Sequence, residues 1–160
     1  MSQLLSPSAQ KVQEALRSQG YPFTIIEFSE STRTAQEAAE CVGCTLGQIV
    51  KSLIFKGMND QKPILVLTSG SNRVDEELIS GYAGQPTGRA DPELVRAVTG
   101  FAIGVVPPIG HLQPVETYLD EDLLQYATIW AAGGSPKAVF ELTPQALQKM
   151  TGGRVCRVKE

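Results

Sequence analysis

The chain is poor in the residues from which most catalytic machinery is built. Its 160 residues include one histidine, one tryptophan and three cysteines. A single histidine and the absence of a nucleophile-elbow spacing argue against a serine triad. An odd number of cysteines does not make a secreted disulfide scaffold. Cys41-x-x-Cys44 has the spacing of a metal or redox pair, but a closed zinc site needs two further ligands, and outside ordinary carboxylates only Cys156 and His111 remain. A redox pair has its first cysteine at a helix start, whereas Cys41 falls near a helix end. The pair reads as structural or incidental, and neither metal nor cofactor is expected. No apolar run approaches the roughly 20 residues that span a bilayer, and residues 1–7 break off before a secretory leader forms. A cytoplasmic location without membrane contact is the expectation. Basic excess is missing too, since 14 Lys and Arg against 17 Asp and Glu leave a net charge of −3. That disfavours broad nucleic-acid affinity but leaves room for a local basic patch around one nucleotide end.

What is present is an ordinary globular composition, 42% hydrophobic and 19% charged, enough for one domain over residues 1–160. Residues 8–19 predict an amphipathic helix with Val12 and Leu16 on one face, stopped by Gly20. Residues 21–28 predict a strand. Thr34-x-x-Glu37 is a capping box for a short helix ended by Gly43, and Thr45-x-x-Gln48 repeats the device. Residues 51–56 then read as a strand, with Lys51 at its junction with the preceding helix. Residues 63–68 are almost continuously apolar and predict a central strand. A helix over 74–82, a loop over 84–88 and a helix over 91–98 follow, the last capped by Asp91 and started by Pro92. Short strands are expected at 117–119, 126–131, 138–142 and 155–158, with a helix from Pro144. Strands cluster with irregular helix spacing, which fits a mixed domain rather than a regular βαβ array.

Two stiff glycine turns stand out. Residues 99–111 hold three glycines and adjacent prolines, Pro107 and Pro108, and end on His111. The prolines exclude a helix, so residues 103–106 read as a short strand entering a rigid turn. The second turn is Gly133-Gly134-Ser135-Pro136. Turns so poor in side chains suggest a site built mainly from backbone groups.

Together with Lys51 in Gln48-Ile49-Val50-Lys51-Ser52, these turns resemble the YbaK family, free-standing relatives of the editing domain of bacterial prolyl-tRNA synthetases. The resemblance runs from about residue 34 to about residue 152. It implies an α+β fold with a mixed, mostly antiparallel curved sheet and surrounding helices. The implied activity is hydrolysis of mischarged aminoacyl-tRNA, with alanine or cysteine on prolyl tRNA as the expected substrate and a synthetase as a further partner. Lys51 matches the family lysine that holds the 3′ end of the tRNA, which suits a cation on phosphate; by itself it reads as a snorkelling lysine. Gly104 and Gly110 match one wall of the pocket, with Pro107 between them. Val105 stands where the family often has glycine, and either narrows the pocket or points into the core. Gly133, Gly134, Ser135 and Pro136 match a Gly-x-x-Pro element whose N–H groups would receive the developing oxyanion. Thr34 lies near the site in the family. Arg73, beside Asn72, is a nucleic-acid contact or part of a solvated turn. His111 is either a general acid/base group or a histidine that fastens its loop. Asp120 either ends a strand near the pocket or lies on the surface. The rival to a hydrolase is a non-catalytic module that binds tRNA or a synthetase.

Overall fold

The computed structural model describes residues 4–160; residues 1–3, part of the stretch read for a leader, lie outside the described residues. Helix α1 (Pro7–Ser18) starts with proline in its first turn and buries Ala9, Val12 and Leu16. Gly20 follows with φ +80°. The capping box at Thr34 forms as expected and opens α2 (Ala35–Val42), which Gly43 ends in the left-handed conformation. Thr45-x-x-Gln48 caps a single 3-10 turn. Asp75, Asp91 and Thr143 each accept a backbone N–H and so cap α3 (Glu76–Ala83), α4 (Pro92–Thr99) and α5 (Pro144–Thr151).

The strands are β1 (Ile26–Glu27), β2 (Ile49–Gly57), β3 (Pro63–Ser69), β4 (Thr87–Arg89), β5 (Glu116–Asp120), β6 (Ile129–Ala132), β7 (Ala138–Leu142) and β8 (Arg154–Cys156). They form one sheet in the order β1-β7-β6-β2-β3-β5-β8, with β4 on β2. The β2–β3 ladder is antiparallel from Val50↔Ser69 to Lys56↔Pro63. Parallel pairings join β2 to β6, β3 to β5 and β5 to β8, so the sheet is mixed within an α+β fold. Strand β3 is buried on both faces. Leu65 and Leu67 pack with α1, α4 and α5 through Leu16, Val95 and Leu147. Ile64 and Val66 pack with Ile79 of α3 on the opposite face, where α2 also lies against Ile49 and Val139.

Four expectations from the sequence are corrected. Residues 21–25 are not strand, because the buried Gln13 side chain takes their backbone groups: Ile25 N–H donates to Oε1 at 2.8 Å and Nε2 donates to Phe23 O at 3.1 Å. Only Ile26 and Glu27 remain to pair with β7. Residues 103–106 form a turn instead of a strand. Gly104 has φ +89°, Val105 N–H donates back to Ala102 O, and the prolines that follow have no donor to offer a ladder. The loop over 84–88 contains the start of β4, whose short pairing with β2 has no local signature. Finally, β2 begins at Ile49, so Lys51 sits inside the strand.

Candidate functional site

Strand β2 carries β3 along one edge, but its other edge is covered in two separate pieces. Strand β6 pairs with it only at Ile49 and Val50. Strand β4 pairs from Phe55 to Gly57, and Ala90 N–H extends that contact to Ile54 O. Backbone groups alternate in direction along a strand, so the N–H and C=O of Ser52 point to the same edge as those of Ile54. They fall in the gap and meet no strand partner. A cavity of about 260 Å³ opens at this break, bounded by the start of α2, by β2, β6 and β7, and by the Gly104 turn. Its wall is largely apolar, with Ile49, Leu53, Val106 and Trp130 among the lining residues. Ser52 also lines it, and the Ser52 hydroxyl is buried without a hydrogen-bond partner among the described residues.

Lys51 brings the charge. Its ammonium donates to Asn72 O at 3.0 Å, leaving further N–H donors for another acceptor. Burial pushes its pKa below the usual lysine value, the Arg89 guanidinium pushes the same way, and Asp120 opposes both. Asn72 is itself held: its side-chain amide donates to Asp120 and to Asp122, each at 2.8 Å. Asp120 is therefore neither surface nor incidental, being 1% exposed.

Gly104 and Thr34 share the cavity with Lys51. At Gly104 a Cβ would stand 2.9 Å from Arg33 Nε, the far part of an exposed side chain, on a backbone with φ +89°, so it is the conformation that calls for glycine. Thr34 lines the rim while its hydroxyl is engaged in the capping box with Glu37. Val105 is buried in the core, and it is Val106 that reaches the cavity.

The remaining candidates lie elsewhere. Pro107 is buried, and its carbonyl accepts a hydrogen bond from His111 Nε2 at 2.6 Å. His111 and Gly110 border a second cavity of about 340 Å³ with Pro108, Leu112 and Met150. Burial lowers the histidine pKa, partly offset by the bond to Pro107, and that bond ties the ring to its own loop. Arg73 is exposed beside Asn72.

None of the Gly133 turn residues lines the cavity, and one of the turn's donors is already engaged. Gly133 N–H is committed to Ala138 O at 2.8 Å. Gly134 packs so closely on α1 that a Cβ would be 2.8 Å from Ser8 O. Ser135 Oγ donates to Glu27 at 2.7 Å. The turn instead anchors the segment that forms the cavity rim: Pro136 O accepts Thr32 N–H and Lys137 O accepts Phe28 N–H, each at 2.8 Å. Arg33 and Ser52 were not singled out from the sequence. Ser52 did leave a signal, a hydroxyl on the strand face occupied by buried Val50 and Ile54. Arg33 left none.

The cysteines are free thiols with pKa values pushed up, mainly by burial. Among the described residues no group of three or more His, Cys, Asp and Glu side chains is placed to hold a metal. No helix among them is long and apolar enough to cross a membrane.

A model of the aminoacyl-tRNA editing domain matches residues 29–150. The uncharacterized protein YwhH of Bacillus subtilis (strain 168) is 35% identical over 131 residues, covering 82% of this chain and 83% of its own. EbsC of Enterococcus faecalis (strain ATCC 700802 / V583), provisionally named a Cys-tRNA(Pro)/Cys-tRNA(Cys) deacylase, is 29% identical over 140 residues, covering 86% and 85%. A crystal structure described provisionally as a trans-editing enzyme for prolyl tRNA synthetase superposes with a TM-score of 0.93 at 51% identity, over 98% of this chain and 99% of that one.

Proposed function

Because the chain belongs to the aminoacyl-tRNA editing domain family, a family of hydrolases, we propose that it removes alanine or cysteine from mischarged prolyl tRNA. The observation that carries this reading is the Lys51 ammonium at a small, mainly apolar cavity opened by a break in the sheet. The acyl group enters the cavity, and Lys51 holds the phosphate or sugar of the terminal nucleotide as a cation, with no proton transfer asked of it. Water adds to the ester carbonyl carbon, the bond from that carbon to the ribose oxygen breaks, and the ribose hydroxyl is restored with a proton from the attacking water. Amino acid and intact tRNA leave.

The oxyanion needs preorganised donors. Ser52 N–H, which points into the gap, and Gly104 N–H, which no acceptor among the described residues claims, take that part in place of Gly133. Gly133, Gly134, Ser135 and Pro136 act one step back, by fixing the rim that carries Thr32, Arg33 and Thr34. Aminoacyl esters are already reactive, so positioning and charge stabilisation suffice for the step. Selectivity is steric: a small cavity excludes a larger acyl group more readily than it refuses a smaller one. The site of action is the cytoplasm, where charged tRNA and its synthetase are found.

The test is release of labelled amino acid from prolyl tRNA charged with alanine, cysteine, serine or proline. Rapid release of alanine or cysteine with proline retained supports the reading. Tight tRNA binding without turnover of any ester assigns the non-catalytic binding module instead.

A further inference from the structure

Asp120 is a buried carboxylate that the deacylation described above does not use. It ends β5, is 1% exposed, and is saturated with donors. Its Oδ2 accepts from Thr68 Oγ1 at 3.1 Å, Ser69 N at 2.9 Å and Asn72 Nδ2 at 2.8 Å, and its Oδ1 accepts from Asp122 N at 2.9 Å. Three of these four donors lie at the end of β3 and in the turn after it, the turn whose Asn72 carbonyl receives the Lys51 ammonium. The side chain of Asn72 is thus clamped between Asp120 and Asp122 while its main chain holds Lys51. Asp122 is in turn paired with Lys159 at 2.9 Å.

A lysine stem is flexible, and ordering it costs rotamer entropy each time it must engage a ligand. We propose that Asp120, acting through Asn72, is a positioning residue that holds the Lys51 ammonium in place before substrate arrives. The inference rests on the proposed role of Lys51 at the nucleotide end. It adds that the order of this cation is set from the neighbouring strand β5, by a residue that does not line the cavity. Charge works in the same direction. Arg89 of β4 and the Arg33 side chain on the cavity rim are both cations, Thr68 opposite Lys51 on β3 is neutral, and Asp120 is the anion that favours the charged lysine.

The test is a pair of variants, Asp120→Asn and Asn72→Ala, read by two measurements. The first is the NMR titration of the Lys51 side chain, assigned by its loss in Lys51→Ala. The second is kcat/KM for deacylation. Asparagine at 120 removes the anion and replaces acceptor capacity with an amide donor. Alanine at 72 keeps the carbonyl but frees it from its clamp. Both variants are expected to titrate Lys51 at lower pH than the parent and to lose about tenfold in kcat/KM, the scale of one hydrogen bond to a charged group. If Asp120→Asn does not fold, Asn72→Ala decides alone. Folded variants that keep the parent titration overturn the proposal, whatever their activity, because a purely structural role would leave Lys51 unmoved. Activity within about twofold of the parent overturns it as well. If the parent shows no deacylation at all, the proposed function fails, and the Lys51 titration still decides the positioning.

Discussion

Gly104 and Gly134 both hold left-handed backbone, at φ +89° and +97°, and alanine at each position separates what the two turns do. A Cβ on Gly104 meets the far part of an exposed, flexible side chain, Arg33 Nε at 2.9 Å, which can swing away. The cost to stability is then the backbone term alone, about 1–2 kcal/mol. A Cβ on Gly134 meets Ser8 O and Val12 Cγ2, each at 2.8 Å, and Phe101 at 3.0 Å. None of these moves without displacing α1 or the core, so an overpacking cost of about 1–3 kcal/mol adds to the backbone term, for about 2–5 kcal/mol in all. At about 2–4 °C per kcal/mol for a chain of this size, thermal melting should resolve the two variants. Activity should order them the other way at a temperature where both are folded. Gly104→Ala shifts a wall and a donor of the cavity and should lose about tenfold or more in kcat/KM, since small misplacements are costly to positioned chemistry. Folded Gly134→Ala should stay closer to the parent. Equal stability of the two variants, or Gly134→Ala losing more activity per folded molecule than Gly104→Ala, would refute the assignment of one turn to the site and the other to packing.

Ser52→Ala should leave stability within about 0.5 kcal/mol of the parent or raise it, because the hydroxyl removed is buried without a partner; a loss above about 1 kcal/mol in chemical denaturation would show that it has one. His111 has a folded pKa below its ordinary value, so the unfolded chain binds its proton first as pH falls. Its contribution to stability is therefore complete above the ordinary histidine pKa and is lost as pH falls through that value towards the folded one. Denaturation midpoints from pH 8 to pH 5 should show this decline, and His111→Gln should flatten it. The same substitution should leave the pH dependence of deacylation unchanged above pH 6.5, whereas loss of a titration there would make His111 an acid/base group.

The capped helices were the most legible part of the chain. The boxes at Thr34 and Thr45 and the cap at Asp91 depend on residues three or four apart, and each formed. The central strand β3 was legible because burial on both faces leaves a continuous apolar run. Two of the failures depended on distant partners. A glutamine on α1 took the backbone of residues 21–25, and β4 exists only because β2 offers it an edge. The site divided in the same way. Lys51, Gly104 and Thr34 were brought to one cavity, but nothing local to Gly133 or His111 reveals that the first has its N–H engaged and the second faces another cavity. Asp120 stayed open between a strand end and the surface because burial of a carboxylate is visible only once β3 and the Asn72 turn surround it.

The central claim is that Lys51, at the break in the sheet, holds the aminoacyl end of tRNA for hydrolysis. The most direct measurement is single-turnover deacylation of alanyl and cysteinyl prolyl tRNA by the parent and by Lys51→Ala, with folding of the variant confirmed by its amide spectrum. The account predicts rapid release of at least one of the two amino acids by the parent, and release no faster than spontaneous hydrolysis by the variant. A folded Lys51→Ala protein that deacylates as fast as the parent would contradict it.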